Sequence, residues 1–301
     1  MQIRQINWYQ LLSAAARKWS ADNCLRLGAS LSYYTLFSIF PLILVILAVA
    51  QLVLRDVTSA RDALLDALAT VTGGFRDEFI AVLTAVEQSR ATSGIVGAVA
   101  LLLGASWVFG ELLSAFNIIW GVEAPAGGGP GAWVRMTFFS FGLVFAGAFL
   151  LLVSMVVTAV LTAIGIWMSA LPGGALLWTI MHLVIQLVVL TLLFAALLKY
   201  LPQTRVAWGD VWIGAVLTAV LWALLQLIIA AYITWSNYGS YGAVGAVLAL
   251  VAWVYLSSQI LFLGAELTAV FARSYGSRKG EPAPAPPAPP SDRAPLPGQG
   301  T

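Results

Sequence analysis

GASLSYYTLFSIFPLILVILAV, Gly28 to Val49, joins a hydroxyl-rich half to a strongly apolar one, and the apolar run carries on to Leu54. A bilayer core takes roughly 20 apolar residues of helix and offers no water to unpaired backbone groups, so this stretch reads as a membrane-spanning helix. Pro41 brings no N–H, and its ring clashes with the carbonyl of Phe37, which predicts a kink or break at that point. Two readings of the polar half stay open. Ser32, Tyr33, Tyr34 and Thr35 line a polar path beside a broken helix, as transporters build their sites, or they pack a kinked structural helix against its neighbours.

Composition points the same way. Of 301 residues 60% are hydrophobic and only 9% charged, with a mean hydropathy of +0.91, a balance that soluble globular chains do not carry. One cysteine, Cys24, and one histidine, His182, exclude a disulfide framework and any site built from several His or Cys ligands. Metal ligation would fall to carboxylates alone; no metal and no cofactor is expected.

Windows of about 19 residues mark six spans: Leu31 to Leu54, Ile95 to Ile119, Trp133 to Ile164, Ala175 to Lys199, Trp208 to Thr234 and Ala243 to Phe271. Basic residues sort between the connections. Arg4, Arg17, Lys18, Arg26, Arg135, Lys199, Arg205, Arg273, Arg278, Lys279 and Arg293 are eleven of the fifteen, and all lie at the termini, in the even connections or at a span end that borders one. The stretches Gly165 to Gly174 and Trp235 to Gly242 hold no Lys or Arg. The positive-inside rule therefore places both termini in the cytoplasm. No cleavable signal peptide is evident in the first thirty residues.

The long first external connection, 55–93, is net acidic. Val57, Leu64, Leu65, Leu68 and Val71 recur at helical spacing, Gly73 and Gly74 interrupt, and Phe79, Val82, Leu83 and Val86 resume. This predicts a pair of amphipathic helices over the external mouth, serving as a packed cap, a gate or a docking surface. Within residues 1–28, Trp8, Leu11, Leu12, Ala15 and Trp19 share one face beside Arg17 and Lys18, the pattern of a helix lying in the inner-leaflet headgroups. Residues 29–277 make the six-span domain. Residues 278–301 form a tail whose EPAPAPPAPPSDRAPLPGQGT, from Glu281, cannot bury a core and is expected to be disordered.

Charges inside the spans are few. Glu111 sits within GASWVFGELLSAFNIIWGV, and Glu266 within LFLGAELTAVFARSYGS. A charge at a helix centre costs about 2.5–3.5 kcal/mol on insertion scales, so each needs a partner, a proton or water. Glu266 lies two turns before Arg273, where it could reach headgroup water; Glu111 is deeper, protonated or facing a polar cavity. Asn117, Gln186, Gln226 and Gln259 add neutral groups of the kind that bond helices together. His182 is either a proton-exchange group or a hydrogen-bonded structural residue. Gly94, Gly97, Gly104, Gly110, Gly239, Gly242, Gly245 and Gly264 permit close helix approach. The echo of GIVGAV (Gly94 to Val99) in GAVGAV (Gly242 to Val247) reflects packing rather than an internal repeat.

ASLSYYTLFSIFPL at Ala29 to Leu42, the GAS and FN.IWGV elements of Gly104 to Val122, and the run from Tyr238 to Ser277 together resemble the YihY/BrkB family of bacterial inner-membrane proteins. Members have carried the label ribonuclease BN and an association with serum resistance. The resemblance implies a six-span integral inner-membrane protein. Its motifs fall on Ser32, Tyr33, Tyr34, Thr35, Phe40 and Pro41, on Asn117, Trp120 and Gly121, and on Tyr238, Gly239, Gly242, Gly264, Ala265, Glu266 and Ala272. The chain departs from it in the Gly-rich connection Ala124 to Ala132 and in the Pro-rich tail.

Ribonuclease chemistry needs clustered metal-binding carboxylates or acid–base histidines, together with a basic groove. Asp22, Glu123, Asp210, Glu281 and Asp292 are scattered among different connections, and His182 is expected on the opposite side, so no enzyme and no nucleic-acid partner is expected. A membrane enzyme would have to use Ser32 or Tyr33 beside Glu266, without support from their spacing. The chain thus reads as an all-α polytopic helix bundle of about six transmembrane helices, with an external amphipathic pair and an N-terminal interfacial helix. The expected function is that of a transporter or lipid-handling protein moving an amphipathic or ionic substrate past Ser32, Tyr33, Tyr34, Thr35, Pro41, Glu111, Asn117 and Glu266. The alternative is a membrane scaffold for envelope assembly. With no GxxxxGK[ST] loop, active transport would draw on an ion gradient or a partner's energy. Partners implied are membrane lipids, a second copy of the chain and, for the tail, a proline-motif binder.

Overall fold

In a computed structural model of the chain, the described residues are 7–37, 65, 66, 77, 80, 95–122, 165, 174–235 and 242–281. Asn7 caps the first helix, α1 (Trp8–Ala21), by accepting the Gln10 N–H on its side-chain oxygen at 3.2 Å. Asn23 then takes a left-handed conformation (φ 54°), which asparagine tolerates better than most residues and which ends one helix so that another can begin. That second helix, α2, occupies 24–37. It is followed by α3 (Ile95–Trp120), α4 (Gly174–Tyr200), α5 (Trp208–Trp235) and α6 (Gly242–Ser274). No strand occurs among the described residues.

Three stretches are long and apolar enough to cross a membrane: Ile180–Tyr200, Trp208–Tyr232 and Val247–Ser274. They coincide with the fourth, fifth and sixth expected spans. The second expected span is helical from end to end, and its described apolar part runs over Trp107–Trp120. The first is described as far as residue 37. Pro41, the third span Trp133 to Ile164 and the tail beyond 281 lie outside the described residues, and of the connection 55–93 only 65, 66, 77 and 80 are described.

Side-chain size decides how closely these helices meet. On α5 and α6 the pairs Gly214/Thr218 and Gly264/Thr268 interlock: a Cβ on Gly214 would stand 1.9 Å from the Thr268 hydroxyl, and one on Gly264 1.8 Å from that of Thr218. Each threonine folds back to bond the glycine carbonyl of its own helix, Thr218 to Gly214 at 2.7 Å and Thr268 to Gly264 at 2.8 Å. No hydroxyl is thereby left unpaired in the seam. Glycine is needed here because the backbones approach, the small-residue logic by which helices associate in lipid. Gln186 on α4 donates to Gln226 on α5 (3.0 Å), so two of the polar groups singled out from sequence do join helices. Phe194, Trp222 and Trp253 form an aromatic ladder across α4, α5 and α6, with centroids 5.4 and 5.7 Å apart.

Leu183, Val184, Val188 and Leu192 of α4 and Val216, Val220, Leu224, Leu227 and Ile228 of α5 point outward. Such a continuous apolar face would be a liability in water and is satisfied in hydrocarbon. The described residues form an all-helical membrane bundle.

The N-terminal helix departs from its expected setting in one respect. Leu11 and Ala15 are buried against Leu267, Val270, Phe271 and Tyr275 of the α6 end and Ile213 and Leu217 of α5, whereas Trp8, Tyr9 and Leu12 remain exposed. Its apolar stripe is therefore divided: one edge docks onto protein, and the other is left for the surroundings.

Candidate functional site

Polar contacts concentrate at the end of the bundle where α1, α3 and α6 finish and α2 and α5 begin. Gly121, at φ 65°, closes α3 with two capping bonds, Gly121 N–H to Ile118 O (3.0 Å) and Val122 N–H to Asn117 O (2.8 Å). The Trp120 carbonyl is left to accept from Arg273 Nη2 at 3.0 Å, and Arg278 lies over the Trp120 ring, 5.7 Å from its centroid. Asp210, in the first turn of α5, accepts the Ser277 N–H and hydroxyl, the latter at 2.5 Å. Gly276 permits this, since a Cβ there would fall 2.1 Å from an Asp210 oxygen. Lys199 donates to the Val206 carbonyl, and Asn117 exchanges bonds with Gln203 at 3.1 and 3.3 Å.

Glu266 lies inward of this layer. It is fully buried (0% exposed), so it does not reach headgroup water as its distance from Arg273 had suggested. Neither carboxylate oxygen meets a donor. The carboxylate of Asp22, which α1 carries at its very end, and the cations Lys18 and Arg273 act on it electrostatically. Those cations are already engaged. Lys18 Nζ bonds both Asp22 oxygens at 2.7 Å, a pair with the lysine 16% and the aspartate 1% exposed, and Arg273 serves Trp120. Cys24, the buried first residue of α2, stands in the same cluster; burial, with the Glu266 and Asp22 carboxylates alongside, pushes its thiol up.

From Glu266 a polar seam follows α6 toward the membrane interior. Gln259 is seven residues before it, hence about two turns away on the same face. Its Nε2 donates to the Cys24 carbonyl at 3.4 Å, while its Oε1 and the Ser257 hydroxyl are buried without a partner. Gly28 makes the seam close: a Cβ there would meet Gln259 Nε2 at 2.0 Å and Ser258 Oγ at 2.5 Å.

The residues expected along a substrate path distribute unevenly about this seam. Ser32 is buried one turn beyond Gly28 and donates to its carbonyl at 2.7 Å, so its hydroxyl is spent on its own helix. Thr35 does the same to Leu31 at 2.7 Å. Tyr33 is 59% exposed and packs edge-on against Tyr34 and Phe37, with centroids 5.7 and 4.9 Å apart. Glu111 is half-buried on α3, and Asn117 is tied to Gln203. His182 is exposed beside Trp178. Pro41 lies outside the described residues. Asp22, Lys18, Ser257 and Ser258 were not singled out from sequence as part of a site. The i,i+4 spacing of Lys18 and Asp22 was a readable sign of an ion pair, but nothing in it pointed to α6. Among the described residues no three His, Cys, Asp or Glu side chains gather as metal ligands.

Residues 15–288 match the family described as Virulence factor BrkB. A UPF0761 membrane protein of Acinetobacter baylyi is 25% identical over 270 residues, covering 87% of this chain and 62% of the relative. One of Pseudomonas aeruginosa is 28% identical over 274 residues, covering 86% and 62%. One from a Psychrobacter species is 25% identical over 277 residues, covering 89% and 50%. The chain thus spans between half and about three fifths of the length of these relatives. No solved structure matches it. The match takes in α2 through α6, with Asp22, Glu266 and the glycine seam inside it, and the chain belongs to the BrkB family of membrane proteins.

Proposed function

We propose that the protein moves an amphipathic or ionic substrate across a bacterial inner membrane, with the α2–α6 seam as part of its path and Glu266 as the group that makes the path work. One observation carries this reading: a fully buried carboxylate with no donor, on a helix of membrane length. A charge held there is costly, and intramembrane ionisable groups are retained where they handle substrates, ions or protons. The buried Gln259 and Ser257 oxygens along the same helix supply further groups that a polar substrate could engage. Lys18, Lys199, Arg205, Arg273, Arg278 and Lys279 at one end support a cytoplasmic setting for that end, and with it for both termini. The relatives are named only as membrane proteins, so cargo and direction rest on this chain's own chemistry. The protein acts without chemistry on its substrate, and phospholipid ranks ahead of a small ion as cargo because α1 leaves Trp8, Tyr9 and Leu12 exposed, an apolar edge suited to a lipid surface.

The test is flux in sealed proteoliposomes, scored in parallel for transbilayer movement of labelled phospholipid and for proton or sodium leak. Movement of either that falls in Glu266→Gln supports the reading. Absence of both from folded, inserted protein removes it and favours a scaffold.

A further inference from the structure

We propose that Trp120 and Arg278, with Arg273 adding charge, form a binding site for a phosphate group where α3 and α6 end. Such a site stands whether or not the protein transports. Two donors here lack acceptors. Trp120 is 2% exposed, and its indole N–H finds no acceptor among the described residues. Arg278 lies over the same ring, its guanidinium carbon 5.7 Å from the centroid, and its Nη1 is likewise buried without an acceptor. Both groups donate and neither accepts, so only an acceptor from outside the pair satisfies them. They lie within cation–π distance, and one anion the size of phosphate serves both.

The acceptors that the chain itself brings to this end are already engaged. The Trp120 carbonyl accepts from Arg273 Nη2 at 3.0 Å, Asp210 accepts the Ser277 N–H at 3.2 Å, and Glu281 accepts from Arg278 Nε at 2.6 Å. Glu281 therefore takes the Nε edge of the guanidinium and leaves Nη1 over. Glu266 belongs to a deeper level, two turns before Arg273 on α6 and about 10 Å along the axis. Charge favours an anion as well: Arg273, Arg278 and Lys279 face only Glu281 as an acid in the stretch 273–281.

The donors and their surroundings select the ligand class. A planar guanidinium matches the paired oxygens of a phosphate. Asn117, one turn before Trp120, is tied to Gln203, so the end of α4 and the start of α5 share this end of the bundle. There Tyr200, Trp208 and Trp212 are exposed, and Lys199 Nζ lies 5.8 Å over the Trp208 ring. Exposed Tyr and Trp beside basic residues mark the level of lipid headgroups, and basic clefts between spans at that level take up anionic headgroups. Arg278 is 23% exposed and reaches from the surface to the buried indole, so a phosphate enters by moving one side chain rather than a helix.

The full chain in detergent is melted against increasing short-chain phosphatidylglycerol or inorganic phosphate, with sodium chloride at equal ionic strength as the reference. A ligand of the folded form raises the melting temperature with its concentration. The expected result is such a rise with at least one phosphate compound and none with chloride. A rise with phosphatidylglycerol alone assigns the site to lipid; a rise with inorganic phosphate assigns it to phosphate as such. Trp120→Phe keeps the ring and removes the N–H, and Arg278→Gln removes the cation; each should weaken binding about tenfold, the worth of one hydrogen bond to a charged group. Lys279→Gln, an exposed charge beside the site, should leave binding unchanged. No rise beyond that of chloride, or a rise that either variant retains in full, overturns the proposal. Equal weakening in Lys279→Gln overturns it too, since it marks a diffuse basic surface. If Trp120→Phe fails to fold, Arg278→Gln decides alone: weakened binding supports the site, and unchanged binding overturns it.

Discussion

Glu266 and Asp22 illustrate how little a residue's identity says until its partner is known. Lys18 and Asp22 are not equivalent halves of their ion pair, since the lysine is the more exposed. Removing Asp22 lets Lys18 turn to water, and Asp22→Asn should cost about 1 kcal/mol, the range of an outer ion pair. Lys18→Met leaves Asp22 buried without its cation and should cost about 3 kcal/mol, the lower part of the range for a broken buried pair. Thermal unfolding of both variants in one detergent checks the order: Lys18→Met melts clearly below Asp22→Asn. Cys24 gives a second check at this scale. Its burial and raised thiol predict that maleimide fails to label the folded protein at neutral pH and labels it after denaturation, read by mass shift.

Among elements, the α5–α6 seam makes the sharpest claim. A Cβ on Gly214 would stand 2.5 Å from the Gly264 carbonyl, a backbone atom that cannot turn away, whereas a Cβ on Gly209 meets nothing within 4 Å. Gly214→Ala should therefore cost about 1–3 kcal/mol by overpacking. Gly209→Ala should fall within about 0.5 kcal/mol of the parent, as changes at open sites do. Equal losses in paired unfolding curves would mean that the helices do not meet as described. One of the four residues of this seam was readable: Gly264 was among the small residues that sequence marks, but Gly214 and the two threonines were not, because a Gly-x-x-x-Thr pair acquires meaning only when a second copy faces it. The same limit applies to α1. Its stripe of Trp8, Leu11, Leu12, Ala15 and Trp19 fixed the helix and its amphipathic face, but periodicity cannot distinguish lipid from α6 as the surface covered by Leu11 and Ala15. Leu11→Asp should undock α1 and expose its backbone, seen as faster amide exchange over Trp8–Ala21 than in the parent.

At the scale of the whole molecule, apolar length alone located the three membrane-length helices, because hydrocarbon imposes one requirement on every residue of a span. Glu266 was likewise conspicuous for being a charge where few exist. The site around it was not legible, since Asp22 and Lys18 lie at the opposite end of the chain and reach it only through the Asn23 turn and the docking of α1. Polar residues beside Pro41 drew attention by number, but Ser32 and Thr35 bond their own helix, a use that sequence cannot separate from substrate binding. On the function proposed, Glu266 serves transport rather than folding. The most direct test is a side-by-side measurement of melting temperature and lipid or ion flux for the parent and Glu266→Gln in the same liposomes. The prediction is an unchanged or higher melting temperature with flux reduced to that of empty vesicles. Flux equal to the parent's, or a loss of flux that merely follows a loss of fold, would contradict it.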